Sequence, residues 1–323
     1  MHKNWTAAIA IALGLAAAPS ASAADLTPVP APAAAPQGCD FFEAELIGYL
    51  CAKTAFVGVF GEEFNLTNKF SAPFPGGVFT QKFQTRQAYE GATVSVTPWE
   101  GFRLSVQDEA FQYKNTQTQQ NVIFGGPPQP VFTGSQSGSG GGWLSVGAEY
   151  TLWDKRNDYG RFITNLVGSI QSFPGVGPYG ARDLQQIGWN SGAKFALGGS
   201  GLSLNYFGNT LFQHFDNPGE TRISSYSRLL LTNDAWGVGV GPRLGTTTEL
   251  WHAAGVNTGW SDTRLGGEIL LEPFRTTQVA FLRDVTLDGY YVHSIGQANL
   301  VPNWNGSTSA YTFGGSARFN FRF

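Results

Sequence analysis

Chemistry in this chain would have to rest on a few histidines, two cysteines and a scattered set of charged residues. Of the four histidines, His2 lies in an N-terminal leader, which leaves His214, His252 and His293. No two of them have the spacing of a metal-binding helix pair, and Cys39 and Cys51 have no further Cys or His beside them. Neither a metal nor a cofactor is therefore expected. Beside His214 stands Asp216, and a carboxylate cannot serve as the hydroxyl nucleophile of acyl transfer, so no catalytic residue is assigned. More promising are charged residues that fall on one alternate face of their segments: Arg103, Glu149, Arg222, Arg228, Arg264, Glu268, Arg283, Arg318 and Arg322. Arginine offers planar, bidentate recognition of carboxylates and phosphates. Such residues lining one wall point to passage or binding of a small polar solute rather than to its conversion.

A period of two positions them. Tyr311, Phe313, Gly315, Ala317, Phe319, Phe321 and Phe323 alternate with Thr312, Gly314, Ser316, Arg318, Asn320 and Arg322. Leu144, Val146, Ala148, Tyr150 and Leu152 alternate with Trp143, Ser145, Gly147, Glu149 and Thr151. Successive side chains of a strand point to opposite faces, so one face is apolar and the other polar. The segments run about ten residues, the length a tilted membrane-spanning strand requires. Trp99, Trp143, Trp153, Trp236, Phe274 and Phe323 stand near segment ends, where a membrane barrel carries aromatic girdles.

Composition agrees. Charged residues make up 13% of the 323, with 42 Gly and 25 Phe, against about a quarter charged in soluble domains. The net charge of −3 and the absence of a basic run in the sequence exclude a nucleic-acid binder.

The last residues, Ser316-Ala-Arg-Phe-Asn-Phe-Arg-Phe323, resemble the C-terminal assembly signal of Gram-negative outer-membrane β-barrel proteins. The resemblance implies an all-β, transmembrane antiparallel barrel. It also implies that the barrel-assembly machinery reads Phe319, Phe321 and Phe323, and that outer-membrane lipid and lipopolysaccharide surround the protein. The alternation predicts strands at about 53–61, 86–98, 102–113, 142–153, 160–173, 184–196, 202–214, 221–232, 235–245, 263–272, 275–290 and 309–323. That is twelve, with ten or fourteen left open because 248–262 has room for a hairpin. Long outer loops are expected at 62–84 and 114–141. The His214 stretch is similar to the His-aromatic-Ser-Asn stretch of outer-membrane lipid A deacylases, with Asp216 at the Ser position.

Residues 1–23 read as a signal peptide, with Lys3 before a short apolar run and Ala21-Ser22-Ala23 as cleavage site. Export through the periplasm to the cell outer membrane follows. Residues 24–38, with Pro28, Pro30, Pro32 and Pro36, read as an extended tail. Residues 39–52 form a Cys-flanked segment, expected as a short helix or a small plug, and 53–323 form the barrel. Two cysteines in an exported chain suggest one disulfide between Cys39 and Cys51. The leading function is a narrow channel for small polar or anionic solutes or for exported saccharide. The alternatives are a structural or adhesive barrel acting through its long outer loops, and a lipid-modifying hydrolase around His214.

Overall fold

The computed structural model describes residues 39–127, 129–157, 160–173, 182–198, 200–216, 219–253, 256–299 and 306–323. The signal peptide and the proline-rich tail lie outside them, as do the outer connections at 174–181 and 300–305. The described chain is one closed ring of twelve antiparallel strands, each paired with its neighbours in sequence. They are β1 (Thr54–Phe74), β2 (Gly77–Trp99), β3 (Phe102–Ile123), β4 (Phe132–Asn157), β5 (Gly160–Phe173) and β6 (Arg182–Ala196). They continue as β7 (Leu202–Asp216), β8 (Gly219–Asn233), β9 (Val238–Ala253), β10 (Val256–Leu271), β11 (Val285–Asn299) and β12 (Gly306–Arg322). The ring closes where β1 meets β12, from Thr54 opposite Arg322 to Phe70 opposite Gly306. Closure leaves no strand edge in the ring, which is what a sheet surrounded by lipid requires.

Two expectations change. Residues 62–84 and 114–141 are mostly strand: β1 and β2 pair without a break from Thr54–Thr97 to Phe74–Gly77, and β3 pairs with β4 out to Gln119–Phe132. A ladder needs only backbone partners, so the polar Thr, Gln and Ser of these segments extend it into water. Likewise 248–262 holds no extra hairpin but the outer half of β9 and β10. The second change concerns Arg283. β11 begins at Val285 rather than near 275, and Arg283 ends a one-turn helix, Ala280–Arg283, in the β10–β11 connection. Arg283 is half exposed and faces Asp284 at 3.4 Å, outside the strand face on which it was expected.

A helix, α1 (Phe41–Ile47), precedes β1, and Gly48 ends it with φ at +74°. Its Phe42 and Leu46 lie one turn apart, so they share a face. The left-handed conformation after the last turn favours glycine, and the Gly48 amide bonds back to the Ala44 carbonyl at 2.9 Å. Cys39 and Cys51 are disulfide-bonded.

Candidate functional site in the barrel lumen

Parity sorts every strand into two faces. Outward stand Val57 and Val59 on β1, Val94 and Val96 on β2, Leu144 and Val146 on β4, Leu229 and Leu231 on β8, and Phe319 and Phe321 on β12, all exposed. Trp99, Trp153, Trp236 and Phe323 are exposed at the end that carries the chain's first and last strand residues, with Trp99 stacked on Phe102 at 4.8 Å. A closed ring with an apolar outside, an aromatic collar and a polar inside is stable only in a bilayer. This is a twelve-stranded membrane-spanning β-barrel. The collar therefore marks the inner, periplasmic end, and the long β1–β4 hairpins stand at the outer end.

Neither a protein-family model nor a curated protein matches this barrel. Among solved structures it is similar to an outer membrane channel from Pseudomonas putida F1, with 12% identity, 83% of this chain and 95% of that one covered, and a TM-score of 0.48. It is also similar to the β domain of the Bordetella autotransporter BrkA (13% identity, 82% and 99% covered, TM-score 0.34). A third is the outer membrane protease OmpT from Escherichia coli (7% identity, 84% and 96% covered, TM-score 0.29). At these identities the likeness concerns the fold alone.

The inward face holds the charge in layers. At the inner end α1 lies against lumen-facing side chains. Glu43 meets Arg161 at 3.1 Å, Lys194 at 3.2 Å and Arg156 at 3.4 Å. Glu45 pairs with Arg318, and its carbonyl accepts from Arg228 at 2.5 Å. Arg322 lies over the Phe41 ring at 4.6 Å and pairs with Asp284 at 3.1 Å. Phe42, Leu46 and Ile47 pack on Ile163, Leu230 and Leu270, three apolar residues on an otherwise polar wall. Gly192 lets the helix approach: a Cβ there would stand 1.9 Å from the Ile47 carbonyl oxygen. After the helix, Tyr49 donates to Glu100 at 2.6 Å under the Arg161 guanidinium, and burial together with that acceptor pushes the phenol above its ordinary value.

Nearby, Glu149 accepts from Asn165 at 2.9 Å and Asn190 at 2.6 Å and faces Arg103 at 3.3 Å. Glu268 lies between Arg228 and Arg243, the latter at 2.7 Å, and Tyr290 donates to Glu62. Farther out Asp262 takes Arg264 and Ser294, while Arg222 meets Glu249 at 2.8 Å and Glu220 at 3.2 Å. On the facing wall Phe111, Tyr113 and Trp143 form an aromatic cluster with Tyr89 and Phe173 at its border. Arg182 caps Phe215 at 4.1 Å beside it, and the amides of Gln107 and Gln171 both donate to Glu109.

The structure thus brings Arg103, Glu149, Arg222, Arg228, Arg264, Glu268, Arg318 and Arg322 to the inner face and leaves Arg283 out. Trp143, expected in the outer girdle, is 6% exposed and inside the barrel. Its indole N–H has no hydrogen-bond partner among the described residues. The basic wall expected from the arginines is matched by acid: each of those eight stands against an opposite charge. Sequence reasoning passed over Arg161, Lys194 and Arg243, and over Glu43 and Glu45 on α1. A usable signal existed, since Ile163, Leu230 and Leu270 interrupt the polar parity of their strands where the helix seats. His214 and His293 point outward, His293 beside the Tyr291 ring at 6.3 Å. Asp216 accepts the Asp183 amide at 2.7 Å. The side chain of His252 lies outside the described residues.

Proposed function

We propose that this barrel passes small polar solutes across the outer membrane, and that α1 obstructs its inner mouth. One observation carries the reading: a lumen lined by charged, amide and hydroxyl groups is filled at its inner end by a separate chain segment, not by strand side chains. Because the lumen arginines are matched by carboxylates, the field inside favours neither sign strongly. Uncharged polyhydroxyl solutes, saccharides among them, then fit better than anions. The amides of Asn190, Asn209, Gln171, Gln186 and Gln213 and the rings of Tyr89, Phe111 and Trp143 supply the hydrogen bonds and apolar faces that such solutes use.

Planar-bilayer recording and liposome swelling test this. The mature barrel should give small, weakly selective steps and admit small sugars at rates set by size. Silence from a folded barrel, both with and without α1, would overturn the reading. The β1–β4 hairpins favour a second role, contact with partners outside the cell. β2 runs 23 residues, roughly twice the 9–11 a membrane strand needs. Removing 114–141 should then abolish attachment while conductance persists.

A further inference from the structure

We propose that the outward face of β1–β3, just beyond the apolar belt, binds a phosphorylated glycolipid of the outer leaflet through Lys69, Lys82, Arg86 and Lys114. These residues are far apart in the sequence, and the strand register gathers them. Arg86 stands directly opposite Lys114, and Lys69 directly opposite Lys82. Parity turns all four outward, since Tyr113 and Thr85 beside them are buried inside. Like charges facing each other across a ladder are destabilising unless something compensates them. Here only Arg86 has an acid, Glu63 at 2.5 Å. Lys69, Lys82 and Lys114 have no ion pair among the described residues.

The two cationic pairs lie four residues apart along β2, about 13 Å. Between them Thr67, Gln84 and Thr116 stand opposite one another on the same outward face. Hydroxyl and amide groups flanked by two cationic rows suit a sugar headgroup bearing phosphates. The height of the site selects a lipid. Arg86 is thirteen residues along β2 from Trp99 of the inner collar. With strands tilted by about 40°, that is about 33 Å above the collar, beyond the hydrocarbon core and level with the headgroups. Below it the outward face passes through Ala88, Ala110 and Ala92, with acids among them, to the apolar belt of Val59, Val94 and Val106. The outward acids Glu90 and Asp108 lie below the basic rows, Asp108 level with Val59 through Ala92, so that negative charge stands under the cationic rows and not among them. A soluble polyanion has no use for that apolar continuation, whereas acyl chains do.

The test uses the full mature barrel, reconstituted into phosphatidylcholine vesicles doped with bisphosphorylated lipid A, with dephosphorylated lipid A, or with phosphatidylglycerol. The native protein is extracted in mild detergent and its bound lipid weighed by mass spectrometry. It is compared with K69Q/K82Q/R86Q/K114Q, with the milder K69Q/K82Q, and with K155Q, which neutralises a basic residue at the opposite end. Each variant enters the comparison after showing the heat-dependent gel shift of a folded barrel. Native protein and K155Q should retain the phosphorylated glycolipid at least about tenfold better than the quadruple variant, with K69Q/K82Q between them. Equal retention by the quadruple variant would overturn the site. Equal retention of phosphatidylglycerol would overturn the glycolipid assignment, and so would binding of soluble polyphosphate as tight as that of the lipid.

Discussion

Among the described residues the barrel interior has two apolar clusters, and they are built differently. The inner one joins Phe42, Leu46 and Ile47 of α1 to Ile163, Leu230 and Leu270 of the wall. The outer one, Phe111, Tyr113 and Trp143 with Tyr89 and Phe173, comes from neighbouring strands alone. Phe111 and Trp143 lie 4.9 Å apart between ring centres, and Trp143 meets Phe173 edge-on at 4.5 Å. The outer cluster is part of the ladder and goes where the ladder goes. The inner cluster is a contact between a helix and the wall, and no strand pairing runs through the helix. A closure made by a segment is removable, while a closure made by strand side chains is permanent.

Deleting residues 41–47 should test this contrast most severely. The barrel should still fold and show its heat-dependent gel shift, and single-channel conductance should rise severalfold. Unchanged conductance would mean that α1 obstructs nothing. The next largest effect separates Leu46→Ala from Phe111→Ala. Each removes a buried apolar side chain at a cost of about 2–5 kcal/mol. Leu46→Ala should appear as lost hydrogen-exchange protection in α1 with the barrel's melting temperature nearly unchanged. Phe111→Ala should lower that melting temperature.

Replacing Glu43 and Glu45 by Gln leaves Arg161, Lys194 and Arg318 without their helix partners. These groups are partly solvated, so about 1–3 kcal/mol of docking free energy is expected to go. Faster opening events in bilayer recordings would register it, and salt should mimic it in the native protein. The smallest effect belongs to Trp143→Phe. It keeps a ring in the cluster and removes a buried N–H that lacks a partner among the described residues, so thermal stability should change by less than about 1 kcal/mol. A large loss in calorimetry would show that the indole N–H does have a partner in the working protein.

Alternation, joined to the C-terminal resemblance, pointed to a barrel of about twelve strands with ten or fourteen left open, and it set the chosen charged residues on one face, where the structure puts all but Arg283. It failed where hydrophobicity carries no information. Residues 62–84 and 114–141 extend a ladder in water, where backbone pairing continues with polar residues on either face. Arg283 was lost because a strand start was placed ten residues early, across a connection containing a one-turn helix. Trp143 shows two signals in conflict: its parity with Ser145 and Glu149 already set it inside, while its place near the end of a strand suggested the girdle. The partners of the arginines lay beyond sequence reasoning altogether. Pairing across the lumen joins residues as distant as Glu45 and Arg318, and no local pattern encodes that meeting.

The closing seam between β1 and β12 bears on the order of events in folding. Every other strand pair joins neighbours in the chain and can form as a hairpin. The seam alone joins the two ends of the barrel, so its loop-closure entropy must be met in one step, and that step should limit the rate. The residues that hold α1 come from β4, β5, β6, β8, β10 and β12, on both sides of the growing sheet. The helix therefore cannot finish docking until the ring has closed around it. Closing the wall and seating its inner obstruction become one kinetic event, timed by the arrival of the last strand.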